Sequence, residues 1–124
     1  MLNPRPEMML AGPAEASRRL GISIKALRVY ERCGLVTPRR TRRGWRVYEP
    51  GHMARLSEAL AFKAMGFGLS QIATLLDAGP DDVAAALAAQ EAQLRDRRAA
   101  LDDALGNLRD ARRKLGAPSL RLVA

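Results

Sequence analysis

From Asp81 to about Leu115 the chain carries one unbroken helical pattern, bracketed by Gly79-Pro80 before it and by Gly116 and Pro118 after it. Asp81 and Asp82 suit the positive end of the helix dipole; Arg112, Arg113 and Lys114 suit the negative end. At 1.5 Å per residue such a helix spans about 50 Å. A chain of 124 residues builds only a small core, so a helix of that length cannot lie back upon it. Leu87, Leu94, Leu101, Leu108 and Leu115 recur every seven residues, and Ala104 and Leu105 widen their face. Glu91, Arg98 and Arg112 fall where a parallel zipper wants apolar groups, so the seam is narrow and partly polar. The chain is therefore expected to have two parts: a small globular portion, and a helix that needs a partner chain.

The globular portion is organised about Leu20 to Tyr48, LGISIKALRVYERCGLVTPRRTRRGWRVY. Ser23 is placed as an N-cap for a helix from Ile24 to Cys33, with Gly34 beyond its end. On a wheel of 3.6 residues per turn, Lys25, Arg28, Val29 and Arg32 share one stripe, while Leu27 and Tyr30 point away from it. Three cations do not belong in a core, because unpaired buried charge is expensive; they suit a face that meets a polyanion. Five arginines then fall within eight residues, Arg39, Arg40, Arg42, Arg43 and Arg46, with Gly44, Trp45, Val47 and Tyr48 among and beside them. This pattern predicts a hairpin with a cationic, aromatic-edged tip.

The remaining elements follow from punctuation and spacing. Residues 1–11 read as a disordered arm. A helix opens at Pro13, runs through Leu20 and stops at Gly21. Leu20, Ile22, Leu27 and Leu35 are expected beneath the second helix. Thr37-Pro38 leads into the hairpin, and Arg46-Val47-Tyr48 returns from it. A helix from Pro50 to about Met65 sets Met53, Leu56 and Leu60 at core spacing; Gly66-Phe67-Gly68 turns; a short helix from Leu69 to Leu76 packs Ile72 and Leu76. His52, near a helix start, and Cys33 are read as structural, Cys33 as half-buried.

Charge separates the two parts. Residues 1–65 hold 13 Lys/Arg against 5 Asp/Glu, the whole net excess of +8, whereas residues 66–124 hold 8 of each. Codon bias would explain why arginine outnumbers lysine, but not this asymmetry, which is that of a nucleic-acid footprint.

The run LR-V-YE-RCGL-x-x-P-R-R…GWRVY resembles the MerR family of bacterial transcription regulators, whose usual pattern is LRYYE-xxGL-x-P…GYRxY. The resemblance covers about residues 12–78 by motif. It implies a mainly α fold: a winged helix-turn-helix DNA-binding domain over 12–78, a dimerisation helix over 79–116 paired as an antiparallel coiled coil, and a short tail over 117–124. It implies a homodimer, seamed by Leu87, Leu94, Leu101, Leu105, Leu108 and Leu115, on an inverted repeat of double-stranded promoter DNA. That DNA would be bent and untwisted so that RNA polymerase engages it. Arg28 and Arg46 match the family's phosphate-contacting arginines, and Tyr48 its wing tyrosine. Val29 and Trp45 each replace a family tyrosine and lose its hydroxyl. Ser23, Lys25, Tyr30, Arg32, Arg39, Arg42 and Arg43 complete the expected DNA-binding set.

Enzyme chemistry has no foothold: one His, one Cys, no glycine-rich phosphate loop and no metal-spaced cluster. Asp81/Asp82 and Asp102/Asp103 are sequence neighbours on a helix surface and diverge. Metal-sensing relatives carry cysteines flanking the dimer helix; Asp77-Ala78-Gly79 and residues 117–124 contain neither Cys nor His. No cofactor, no metal and no effector domain after Leu115 are expected, which suits a regulator controlled by abundance or by a partner. No membrane span and no secretory signal are read, so a cytoplasmic protein is expected. The competing readings are a basic RNA-binding or nucleoid-shaping protein, and a helical protein–protein adaptor.

Overall fold

The structure is a computed structural model that describes residues 10–116. Most of the expected arm (residues 1–9) and the expected tail (117–124) lie outside the described residues. In chain order the elements are α1 (Pro13–Leu20), α2 (Ile24–Arg32), β1 (Arg39–Arg40), β2 (Arg46–Val47), α3 (Pro50–Ala64), α4 (Leu69–Leu76) and α5 (Pro80–Gly116). They form two compact units, Met1–Val83 and Ala84–Ala124.

In the first unit, α1 and α2 form the helix-turn-helix. Pro13 opens α1 with its φ already helical and no N–H to waste. Gly21 ends it in the left-handed region at φ 69°, a conformation that costs a side chain steric strain. The Ile22 N–H then returns to the Ser17 carbonyl at 3.1 Å. The Ser23 hydroxyl accepts from the Ala26 N–H at 3.0 Å and starts α2. One face of α2 sends Leu27 and Tyr30 into the core, joined there by Ala16, Leu35 and Val36.

β1 and β2 pair antiparallel, with Arg40 opposite Arg46 and Arg39 opposite Val47. Five residues lie between them, Thr41 to Trp45; the Thr41 N–H donates to the Trp45 carbonyl at 2.8 Å, which leaves Arg42, Arg43 and Gly44 as the loop itself. The Gly44 N–H closes a turn on the Thr41 carbonyl at 2.8 Å, and its φ of 81° is the left-handed step that a three-residue hairpin takes to rejoin its partner strand. The Thr41 hydroxyl accepts from the Trp45 N–H at 3.2 Å and braces the same turn.

Two expectations change here. Ala11 does not belong to a free arm: it is buried and pairs with Tyr48 through N–H to carbonyl bonds of 2.9 and 2.7 Å. The wing edge thus acquires a third backbone partner. Cys33 is exposed rather than half-buried, because it caps the end of α2 where the chain leaves the core.

α3 opens at Pro50, and the Glu49 N–H donates to His52 Nδ1 at 2.9 Å, giving His52 a capping role. α3 buries Leu56, Ala59 and Phe62, while Met53 and Leu60 are half-buried. Phe62 meets Phe67 edge to face with centroids 5.9 Å apart. α4 buries Ile72 and Leu75. Leu76, expected in the core, is only half-buried. A two-turn helix is phased by one i, i+3 pair, and here that pair is 72/75.

In the second unit, no residue of α5 is buried within one chain. Leu87, Leu94, Leu101, Leu105, Leu108 and Leu115 are all exposed.

Candidate nucleic-acid interface

The cationic surface of the first unit is built by α2 and the wing. Turning Leu27 and Tyr30 inward leaves Lys25, Arg28 and Arg32 exposed on the opposite face, with Val29 half-buried between them. Lys25, Arg28 and Arg32 line an open depression together with Glu31 and with Arg46 of β2. Two segments fifteen residues apart in sequence are thereby brought to one surface, joined by the ion pair from Arg46 Nε to Glu31 Oε2 at 2.7 Å.

The wing tip carries a second group. Arg42 and Arg43 are exposed in its loop, and Trp45 beside them is 65% exposed. The Arg43 guanidinium lies 5.8 Å from the Trp45 ring centroid, within the range of a cation–π contact. Arg40 donates to the Gly44 carbonyl at 2.9 Å and so stiffens the loop. Arg39 pairs with Glu49 at 3.3 Å. Among the described residues, Lys25, Arg28, Arg32 and Arg42 form no ion pair, and their charge is free for an external anion.

Two of the expected site residues are buried beneath this surface. Tyr30 is 4% exposed and Tyr48 is 0% exposed. Burial raises the Tyr30 phenol above its usual range. The Tyr48 phenol is also raised, by burial first and by the Glu31 carboxylate second. Neither ring is on the surface that Lys25, Arg28 and Arg32 present, and the Tyr48 hydroxyl is enclosed without a hydrogen-bond partner. The Tyr48 backbone is bridged to that of Ala11. The Ser23 hydroxyl is occupied in capping α2.

Sequence reasoning missed Glu31 and Arg55. Glu31 is a lone acid at the edge of a basic stripe, a signal that was present. Arg55 had none. From α3 it donates through Nε to the Leu35 carbonyl, and through its two terminal nitrogens to both Asp77 oxygens at 2.8 and 3.1 Å. It thus ties the segment after α2 to the end of α4, the two partners lying 20 and 22 residues away.

Residues 13–79 match the family model for MerR HTH family regulatory proteins. Over 64 residues the chain is 41% identical to an uncharacterised HTH-type transcriptional regulator, slr0701, of Synechocystis, covering 51% of this chain and 47% of that protein. The chain thus spans about half the length of that relative. Among solved structures, it is similar to the N-terminal part of the Bacillus subtilis multidrug transporter activator, with a TM-score of 0.75 and 29% identity over 81% of this chain and 95% of that one. It is also similar to HiNmlR, a MerR family regulator lacking the sensor domain, solved bound to promoter DNA, with a TM-score of 0.57 and 26% identity over 87% and 85% of the two chains.

Proposed function

The chain belongs to the MerR family of helix-turn-helix regulatory proteins, and from that premise we propose that it is a sequence-selective DNA-binding regulator of transcription, acting as a homodimer on an inverted repeat in a promoter. The observation that carries this reading is the joining of two cationic groups on one unit: the exposed face of α2 and the wing. α2 enters the major groove, where Lys25 and Arg32 reach base edges. The wing lies on the flanking backbone, where Arg42 and Arg43 meet phosphates and Trp45 packs on the sugar-phosphate edge. Arg28 and Arg46, between the two groups, meet phosphates at the groove wall.

In the homodimer the leucine face of α5 is covered by the same face of a second copy, running antiparallel. Two α2 helices are then presented to two half-sites. The bound DNA is distorted as in the family, and RNA polymerase at the promoter is the further partner, in the cytoplasm. No helix among the described residues is long and apolar enough to cross a membrane. The reading invokes no catalysis, cofactor or metal.

Selection of duplexes from a random-sequence library with the full chain tests this. The expected product is an inverted repeat, protected from cleavage over both half-sites. Recovery without any common sequence would overturn the reading in favour of a nucleoid-shaping or RNA-binding protein, and failure to retain nucleic acid would favour an adaptor.

A further inference from the structure

A single carboxylate lines the cationic depression between α2 and β2. Glu31 is held on α2 with its side chain 20% exposed; Oε2 takes Arg46 Nε at 2.7 Å, and Oε1 lies 3.9 Å from Arg40 Nη2. Lys25, Arg28 and Arg32 complete the lining around it. An anion in that position is the resident counter-ion of the depression. It offsets the mutual repulsion that would otherwise drive the wing arginines away from α2. It also divides the Arg46 guanidinium. A guanidinium offers five N–H donors in a fixed fork; Glu31 occupies the one on Nε. Among the described residues no hydrogen bond occupies the two terminal nitrogens of Arg46.

We propose that Glu31 is a positioning residue that sets sequence discrimination: it fixes Arg46 against α2 with the terminal nitrogens left for one DNA phosphate, and its charge repels phosphates arriving in any other register. The inference rests on the DNA-binding reading above. In the cognate register the phosphate meets the outer end of Arg46 and stays apart from the carboxylate. In a displaced register a phosphate is brought towards Glu31 and competes with it for Arg46. Because both Glu31 and Arg46 are partly buried, at 20% and 29% side-chain exposure, salt screens this repulsion less than it screens charges in open water.

Glu31→Gln keeps the shape and one acceptor oxygen and removes the charge. The full-length chain is titrated with the duplex recovered by selection and with a scrambled duplex of equal composition, at several salt concentrations. The variant is expected to bind the scrambled duplex roughly threefold to tenfold more tightly at low salt, with a salt slope steeper by about one unit per chain. The ratio of affinities for selected over scrambled duplex should fall about tenfold. Glu31→Asp keeps the charge and should keep the wild-type slope. In an Arg46→Ala background Glu31→Gln should change the ratio far less, since the two groups act as a pair. An unchanged slope and ratio in Glu31→Gln would overturn the proposal. So would weaker binding to both duplexes with a lower melting temperature, which marks a merely structural role. A wild-type chain that does not discriminate between the duplexes would overturn the regulator reading itself, and this inference with it.

Discussion

Tyr48 and Arg46 are two residues apart and illustrate how far a residue's surroundings decide its work. Tyr48 matched a wing tyrosine by motif, yet its hydroxyl is enclosed without a partner. A buried polar group left unsatisfied costs about 1–3 kcal/mol. Tyr48→Phe removes only that oxygen and is expected to leave stability unchanged or raise it by about 1 kcal/mol, with DNA affinity unaltered. Urea titration and duplex binding read the two quantities, and a large loss of affinity would restore Tyr48 to the interface. Arg46 is the converse case. Arg43→Ala removes an exposed phosphate ligand, so selected and scrambled duplexes should weaken by similar factors, with a salt slope lower by about one unit. Arg46→Ala also takes away the nearer partner of the Glu31 carboxylate, leaving it only Arg40 at 3.9 Å beside the DNA, and should weaken binding further. Equal losses in the two variants would mean that Glu31 does not face the phosphates. The outward stripe of Lys25, Arg28 and Arg32 was legible because helical period alone fixes it. The burial of Tyr48 was not, because its surroundings include Ala11, its backbone partner thirty-seven positions earlier and in a stretch without pattern.

At the scale of elements, punctuation was a sound guide. Ser23 began α2, Pro13 and Gly21 bounded α1, and α4 ran from Leu69 to Leu76 as expected. What punctuation cannot supply is which elements are tied together. Arg55 ties α3 to the end of α4 and to the segment after α2, and its Nε satisfies the carbonyl of Leu35, a residue 1% exposed. Arg55→Ala strands that carbonyl and is expected to destabilise the first unit by about 1–3 kcal/mol, read as a shift in the thermal or urea midpoint. Asp77→Asn should cost less, because the Asp77 side chain is 70% exposed and solvent competes for it. The two variants also differ with pH. Hydrogen bonding to Arg55, reinforced by its charge, holds the Asp77 carboxyl below its usual value of 3.8. A carboxylate with a depressed folded value stabilises above its unfolded value and loses that contribution as the pH falls through the folded one. The gap between wild type and Asp77→Asn should therefore be full at pH 7 and close below pH 3.8. A gap that stayed constant across that range would show that the pair does not form in solution.

For the whole molecule, the charge excess ends by residue 65 and the leucine period begins with the long helix, whereas the compact units part at Val83 and Ala84, within the first turns of α5. α5 runs for 37 residues with its leucines exposed in the single chain. Leu101→Asp sets a charge in the proposed seam, where burial without a partner is costly, and is expected to convert dimer to monomer in sedimentation at micromolar concentration. The first unit should stay folded, since its core contains no α5 leucine. A wild-type chain sedimenting as a folded monomer would remove the homodimer from the account. The same division gives the molecule an optical label of its own. Its single tryptophan is Trp45, open to solvent on the wing and in reach of the Arg43 guanidinium. Its emission should be red-shifted and readily quenched by acrylamide in the free protein, then shift to the blue and be shielded when the wing settles on a duplex. Rapid mixing would therefore time the arrival of the wing alone, against an anisotropy signal from labelled DNA that reports the whole encounter.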